Sequence, residues 1–176
     1  MKETEIYFCG LSKNNLDSLT KNVDYILNFK NKSKYKKINL LVIDSNSVDG
    51  SKDYLNRISQ EFEFINLIHK DDLNLVHSRI ERIKICRNLG LKFIENNCKN
   101  NSLVYIPLDT DFYSFSKTSP KKLDELIDYV LQIKNNSGIF PVSDPYYYDI
   151  FALRAKGWMN INSQLIVTNL KKYIRL

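Results

Sequence analysis

Ile38-Asn39-Leu40-Leu41-Val42-Ile43-Asp44-Ser45-Asn46-Ser47-Val48-Asp49-Gly50-Ser51 settles the architecture of this chain. Residues 38–43 form an apolar run of the kind found in strands buried on both faces of a parallel sheet. The run ends abruptly in turn and cap chemistry at 44–51, and a short helix is expected over about 51–60. A buried strand ending in an acidic turn and followed by a helix is half of a βαβ unit.

The same alternation repeats outward from this point. Upstream, residues 4–10 (TEIYFCG) are a short β-rich run. Leu16, Leu19, Val23, Ile26 and Leu27 then recur at helical spacing, which predicts an amphipathic helix over 14–29. Downstream, 63–69 is a third strand candidate, and Ile80, Ile83, Leu89 and Phe93 mark a long helix over about 76–96. Residues 103–108 (LVYIPL) are a fourth strand, ending in Asp109 and Asp111. Leu123, Leu126, Ile127, Val130 and Leu131 mark a helix over 119–134, with Pro120 suited to its first turn. Residues 138–142 and 147–153 are two further strand candidates. This order predicts an α/β fold, a mostly parallel sheet flanked by helices on both faces. In such sheets ligands sit beyond the carboxyl ends of the strands. Asp44 and Asp109 each follow a strand, so both are expected in one crevice.

Composition narrows the function classes. The 176 residues are 43% hydrophobic and 26% charged, an ordinary globular balance, and no apolar run is long enough to span a membrane. No apolar segment with a small-residue cleavage site follows Met1, so a signal peptide is not expected. The cysteines, Cys9, Cys86 and Cys98, are odd in number and contain no CxxC pair. That disfavours a disulfide scaffold or zinc ribbon and makes a cytoplasmic setting the expectation. The net charge of +6 favours phosphate-bearing partners. Twenty of the 26 basic residues are Lys, however, and Asn is equally abundant, as an A/T-rich coding sequence would produce. The dense run Lys30 to Lys37 (KNKSKYKK) is expected to be a loop, either solvated or touching a membrane surface or polyanion.

Four features carry chemistry. Asp109-Thr110-Asp111 sets two carboxylates two residues apart at a strand end, a pattern that can hold Mg2+ or Mn2+. The competing reading is a plain acidic turn. Asp44 is placed to accept from a base N–H or a ribose hydroxyl, while Asp49 and Ser51 either contact ligand or cap the next helix. Arg79, Arg82, Arg87 and Asn88 lie on the third helix. Three of the chain's six arginines fall within nine residues there, and guanidinium forks grip phosphate bidentately as Lys does not. Surface pairing with Glu81 or Asp72 is the alternative. In Tyr147-Tyr148-Asp149-Ile150-Phe151-Ala152-Leu153-Arg154, Asp149 sits among aromatic residues that would raise its pKa toward that of a general base, or else it pairs with Arg154. His69 and His77 show no metal spacing and are expected to be surface or capping residues. There is no GxGxxG and no GxxxxGK[ST], so dinucleotide and P-loop sites are disfavoured.

These blocks resemble, in order, those of the GT-A type nucleotide-sugar glycosyltransferases, of the family-2 and capsule-associated mannosyltransferase kind. V-I-D-S-N-S-V-D-G-S at 42–51 is similar to the family's acidic turn. I-C-R-N-L-G-L at 85–91 is similar to its R-N helix, and L-D-T-D at 108–111 to its metal-binding D-x-D. Y-Y-D-I-F-A-L-R at 147–154 resembles a block seen after the D-x-D in a polysaccharide-related subset. The resemblance implies a GT-A, Rossmann-like fold over 1–176 as a single nucleotide-sugar-binding domain. It also implies transfer of a sugar from a nucleotide-diphosphate donor to a glycan or lipid-linked acceptor, assisted by Mn2+ or Mg2+. Asp44 would contact the base or ribose, and Arg87 and Asn88 the diphosphate region. Asp109 and Asp111 would serve the metal, and Asp149 and Arg154 the sugar or acceptor side, with Asp149 as base if the route inverts. Asp49, Arg79 and Arg82 complete the expected donor contacts. Only 157–176 follow the last block, so the acceptor-binding part is minimal, supplied by a partner, or missing. A non-catalytic nucleotide-sugar-binding module is therefore the alternative. Nucleic acid is not an expected partner; a peripheral membrane contact is compatible with the acceptor class.

Overall fold

The computed structural model describes residues 4–99, 102–115 and 117–132. All belong to one compact unit within Met1–Asn135. The strands are β1 (Glu5–Ser12), β2 (Lys37–Asp44), β3 (Ile65–His69) and β4 (Leu103–Asp109). The helices are α1 (Leu16–Lys32), α2 (Ser51–Glu61), α3 (Arg79–Asn97) and α4 (Pro120–Gln132). The four strands form one sheet in the order β3-β2-β1-β4, every pair parallel. The α/β fold and the parallel sheet expected from the sequence are both present. The strand candidates at 138–142 and 147–153 lie outside the described residues.

Side chains alternate across the sheet and divide the core in two. Ile6, Phe8, Ile38, Leu40 and Val42 face α1, α2 and α4, where they meet Leu19, Phe29, Leu55 and Ile127. Tyr7, Cys9, Leu41 and Ile43 face α3, where they meet Cys86 and Ile94. Burial on both faces explains why 40–43 is apolar throughout instead of alternating, and the polar Asn39 before it is only half-buried.

α3 comes close to the sheet because residue 90 has no side chain. A Cβ on Gly90 would stand 2.8 Å from the Cys9 Sγ and 3.3 Å from the Ile43 Cδ1. Gly90→Ala recovers about 1 kcal/mol of helix propensity. Forcing a methyl against two buried side chains costs about 1–3 kcal/mol. The expected result is a net loss of about 1 kcal/mol, read as a lower denaturant midpoint; a gain in stability would show that α3 rides higher than described.

Two expectations need revision. The basic run 30–37 is only half loop: Lys30 to Lys32 finish α1 and Lys37 starts β2. Lys30 lies over the Phe64 ring, 4.6 Å from its centroid, and burial lowers its pKa. The third helix starts at Arg79 and not near 76: a 3-10 turn over Asp71–Leu75 ends in extended backbone at Val76, and Ser78 caps α3 by accepting from the Glu81 N–H. Among the described residues, no helix is long and apolar enough to cross a membrane.

Candidate functional site

The chain moves outward from β1 to β2 and β3, then returns to the other side of β1 for β4. That reversal opens a crevice at the carboxyl ends of β1 and β4, the place where open α/β sheets bind ligands. A cavity of about 400 Å3 lies there, walled by the ends of β1 and β4 on one side and α3 on the other.

Its floor is neutral. Burial pushes the Cys9 thiol up to about 11 and the Tyr105 hydroxyl up to about 12, so both keep their protons at neutral pH. The charge is at the rim, where Lys13, Arg79, Arg82 and Arg87 face Asp109 and Asp111. The arginines converge because 79, 82–83 and 86–87 lie on one helical face, with Gly90 one turn further on against the sheet. Four basic groups against two acidic ones favour an anionic ligand.

The Asp109-Thr110-Asp111 turn splits by direction. Thr110 is buried, and Asp109 and Asp111 are exposed. The Thr110 hydroxyl donates to the Leu11 carbonyl and accepts from the Asn15 Nδ2 at 2.6 Å; the Thr110 carbonyl accepts from the Ser18 hydroxyl at 2.6 Å. Its methyl packs over Gly10, where a Cβ would stand only 2.8 Å away. The middle residue therefore anchors the turn to β1 and α1 while its neighbours point outward. Asn22, buried in α1, extends the anchor. Its Nδ2 donates to the Phe112 carbonyl at 2.8 Å, and its Oδ1 accepts from the Ser114 N–H at 3.0 Å. The Ser114 hydroxyl returns to the Asp109 carbonyl at 2.7 Å. Sequence reading met Asn15 in the stretch after the first strand and Thr110 in the D-x-D but gave them no role, and it passed over Asn22; a polar residue on the apolar stripe of α1 was the available signal for Asn22.

The donor set fits a hard divalent cation. Two exposed carboxylates leave one turn together, and a cation already approaches: the Arg79 guanidinium lies 3.9 Å from the Asp111 Oδ2. Arg82 is engaged differently, donating to the Val76 carbonyl at 2.5 Å and the His77 carbonyl at 3.1 Å. The surface pairing considered for these arginines is not what forms, since Asp72 pairs with Lys70 and Glu81 with Lys84. Arg87 lines the cavity; Asn88, next to it, is exposed and does not.

Contrary to expectation, Asp44 does not share the crevice with Asp109: the acidic turn after β2 is an internal brace, and only Ser45 of it reaches the cavity. Asp44 is fully buried and accepts from the Ser47 hydroxyl at 2.5 Å and the Ser47 N–H at 3.2 Å. The Asp49 Oδ2 accepts from the Leu16 N–H at 2.9 Å and its Oδ1 from the Ser51 N–H at 3.0 Å, so one carboxylate serves the first residues of both α1 and α2. Desolvation raises the Asp49 pKa, but the hydrogen bonds from Ser51 and Leu16 outweigh it and hold the carboxyl below its ordinary value. The stabilisation is full above the ordinary carboxylate pKa and is lost as pH falls through the lowered folded-state value. Asp49→Ala is expected to cost about 1–2 kcal/mol near neutral pH and to flatten the acid limb of a stability–pH curve. An unchanged acid limb would remove this role.

Parallel register sets Asp44 beside His69. The His69 Nδ1 lies 3.8 Å from the Asp44 Oδ2, and with Asp71 they form a second group able to hold a cation, their ligand atoms within 4.8 Å of one another. The spacing 44, 69, 71 carries no motif, which is why sequence reading treated His69 as an ordinary surface residue. Here too a cation is in place, because Lys52 donates to Asp71 at 2.8 Å. Asp149 and Arg154 lie outside the described residues.

No family model and no curated protein sequence matches the chain. A solved structure is similar: the mannosyltransferase PcManGT from Pyrobaculum calidifontis, in complex with GDP-Man and Mn2+. It matches with a TM-score of 0.51 and 14% identity over 72% of this chain and 32% of that one. The match thus spans about a third of that protein's length. At this identity the likeness carries the fold alone, the Rossmann-like α/β sheet expected of the GT-A type.

Proposed function

We propose that this chain binds a nucleotide-diphosphate sugar in the cavity between β1, β4 and α3, and transfers the sugar to a glycan or lipid-linked acceptor. The observation that supports this most directly is the meeting, at the sheet's switch point, of the Asp109/Asp111 pair with the arginine face of α3. A diphosphate needs fixed cations, and Arg79 and Arg87 supply guanidinium forks at the rim. Arg82, held by two carbonyls, fixes the segment leading into α3 and adds its charge. Asp109 and Asp111 would hold Mn2+ or Mg2+, which would neutralise charge developing on the leaving diphosphate. Asn88, beside Arg87, would shape the entrance. Ser45, on the cavity wall, would face the base or ribose end, and Asp44 and Asp49, behind it, would hold that loop in place. Asp149, with Arg154, is the proposed base on the acceptor side for an inverting route. A membrane-borne acceptor would bring the chain to a lipid surface without a spanning helix.

The test is calorimetric titration of GDP and UDP into the folded protein, with and without Mn2+. Binding of either that requires Mn2+ is the expected result. Absence of binding under both conditions would remove the reading. Binding without transfer is the second reading. Release of nucleotide from GDP-mannose or a UDP-sugar, with and without added glycan and lipid-linked acceptors, separates the two.

A further inference from the structure

We infer that Arg79 is an exchangeable counter-cation. It pairs with Asp111 when no metal is bound, and moves to the donor's diphosphate when Asp109 and Asp111 take a metal. The inference rests on the nucleotide-sugar reading of the cavity.

Arg79 is the first residue of α3. A cation there meets the positive end of the helix dipole, an unfavourable position that calls for a compensating anion. The compensating anion is Asp111, at 3.9 Å. The pair is weak by construction: the two side chains are 76% and 61% exposed, and the distance is near the limit of contact. The neighbouring arginines differ. Arg82 is bound to the Val76 and His77 carbonyls, and Arg87 makes no ion pair among the described residues. Of the three, only Arg79 touches the acidic pair while standing at the rim of the same cavity.

Two consequences have opposite sign. Arg79 competes with a metal for Asp111, so it weakens metal binding when no nucleotide is present. Once released, its guanidinium faces the cavity with no carboxylate to satisfy, and it strengthens binding of a diphosphate. A residue that merely held α3 in place would move both affinities in the same direction.

The experiment uses the full chain and three proteins: wild type, Arg79→Gln and Arg79→Lys. Mn2+ binding is measured alone by electron paramagnetic resonance of free Mn2+. GDP and UDP binding is measured by calorimetry at saturating Mn2+. For Arg79→Gln, Mn2+ alone is expected to bind about threefold tighter and the nucleotide about threefold weaker, the scale of one exposed ion pair. Both changes shrink at high salt, and Arg79→Lys stays near wild type in both. If wild type binds Mn2+ and nucleotide but Arg79→Gln leaves Mn2+ affinity unchanged or weakens it, this inference fails while the nucleotide-sugar reading stands. Wild type that binds neither overturns both.

Discussion

Asp111→Ala is expected to lower Mn2+-dependent binding of GDP or UDP by about 100-fold or more. Losing an outer-shell partner of a metal ligand already costs about 10–100-fold, and Asp111 would be a direct ligand and half of the negative charge in the site. The fold is expected to survive. Asp111 is exposed, and its only side-chain partner among the described residues is the long contact to Arg79. An unchanged melting temperature is therefore part of the prediction and separates lost ligation from lost structure. If Asp111→Ala keeps full metal-dependent affinity while Asp71→Ala loses it, the cation sits at Asp44, His69 and Asp71 and the D-x-D is an acidic turn only.

Asn22→Leu should give the largest loss of stability. The side chains are nearly the same size, so no cavity opens, but the Phe112 carbonyl loses its donor and the Ser114 N–H its acceptor. Both bonds are part-buried, and each contributes about 0.5–1.5 kcal/mol, so a loss of about 2 kcal/mol is expected. The effect should reach the site, because the Asp109–Ser114 turn hangs on Asn22 and Thr110. Nucleotide affinity should fall in the variant even at temperatures where it remains fully folded. A variant as stable as wild type would mean that water replaces the amide. Intact affinity in a destabilised variant would mean that Thr110 alone holds the turn.

Much of this was legible in the residues. The apolar run 38–43, the helical spacing of Leu19, Val23 and Ile26, and the acidic strand ends at Asp44 and Asp109 predict strands, helices and the edge where a site belongs. Each signal is carried by neighbours in the chain, through burial on both faces, a period of 3.6, or turn chemistry. The start of α3 was placed near 76 because apolar spacing marks the body of a helix and not its capping residue, here Ser78. The basic run at 30–37 looked like one loop because charge says little about where a helix ends.

Sequence alone determined the α/β class, the parallel sheet and the clustering of arginines on α3. Tertiary structure alone decided which anions those arginines meet, that Asp49 braces two helices, that Asp44 and His69 stand side by side, and that Asn22 carries the turn after β4. The division has one physical cause. Local periodicity and burial are written between residues a few positions apart. Contacts such as Arg79 with Asp111, or Asn22 with Ser114, exist only once strand order, register and the close seat of α3 on Gly90 have brought distant segments together.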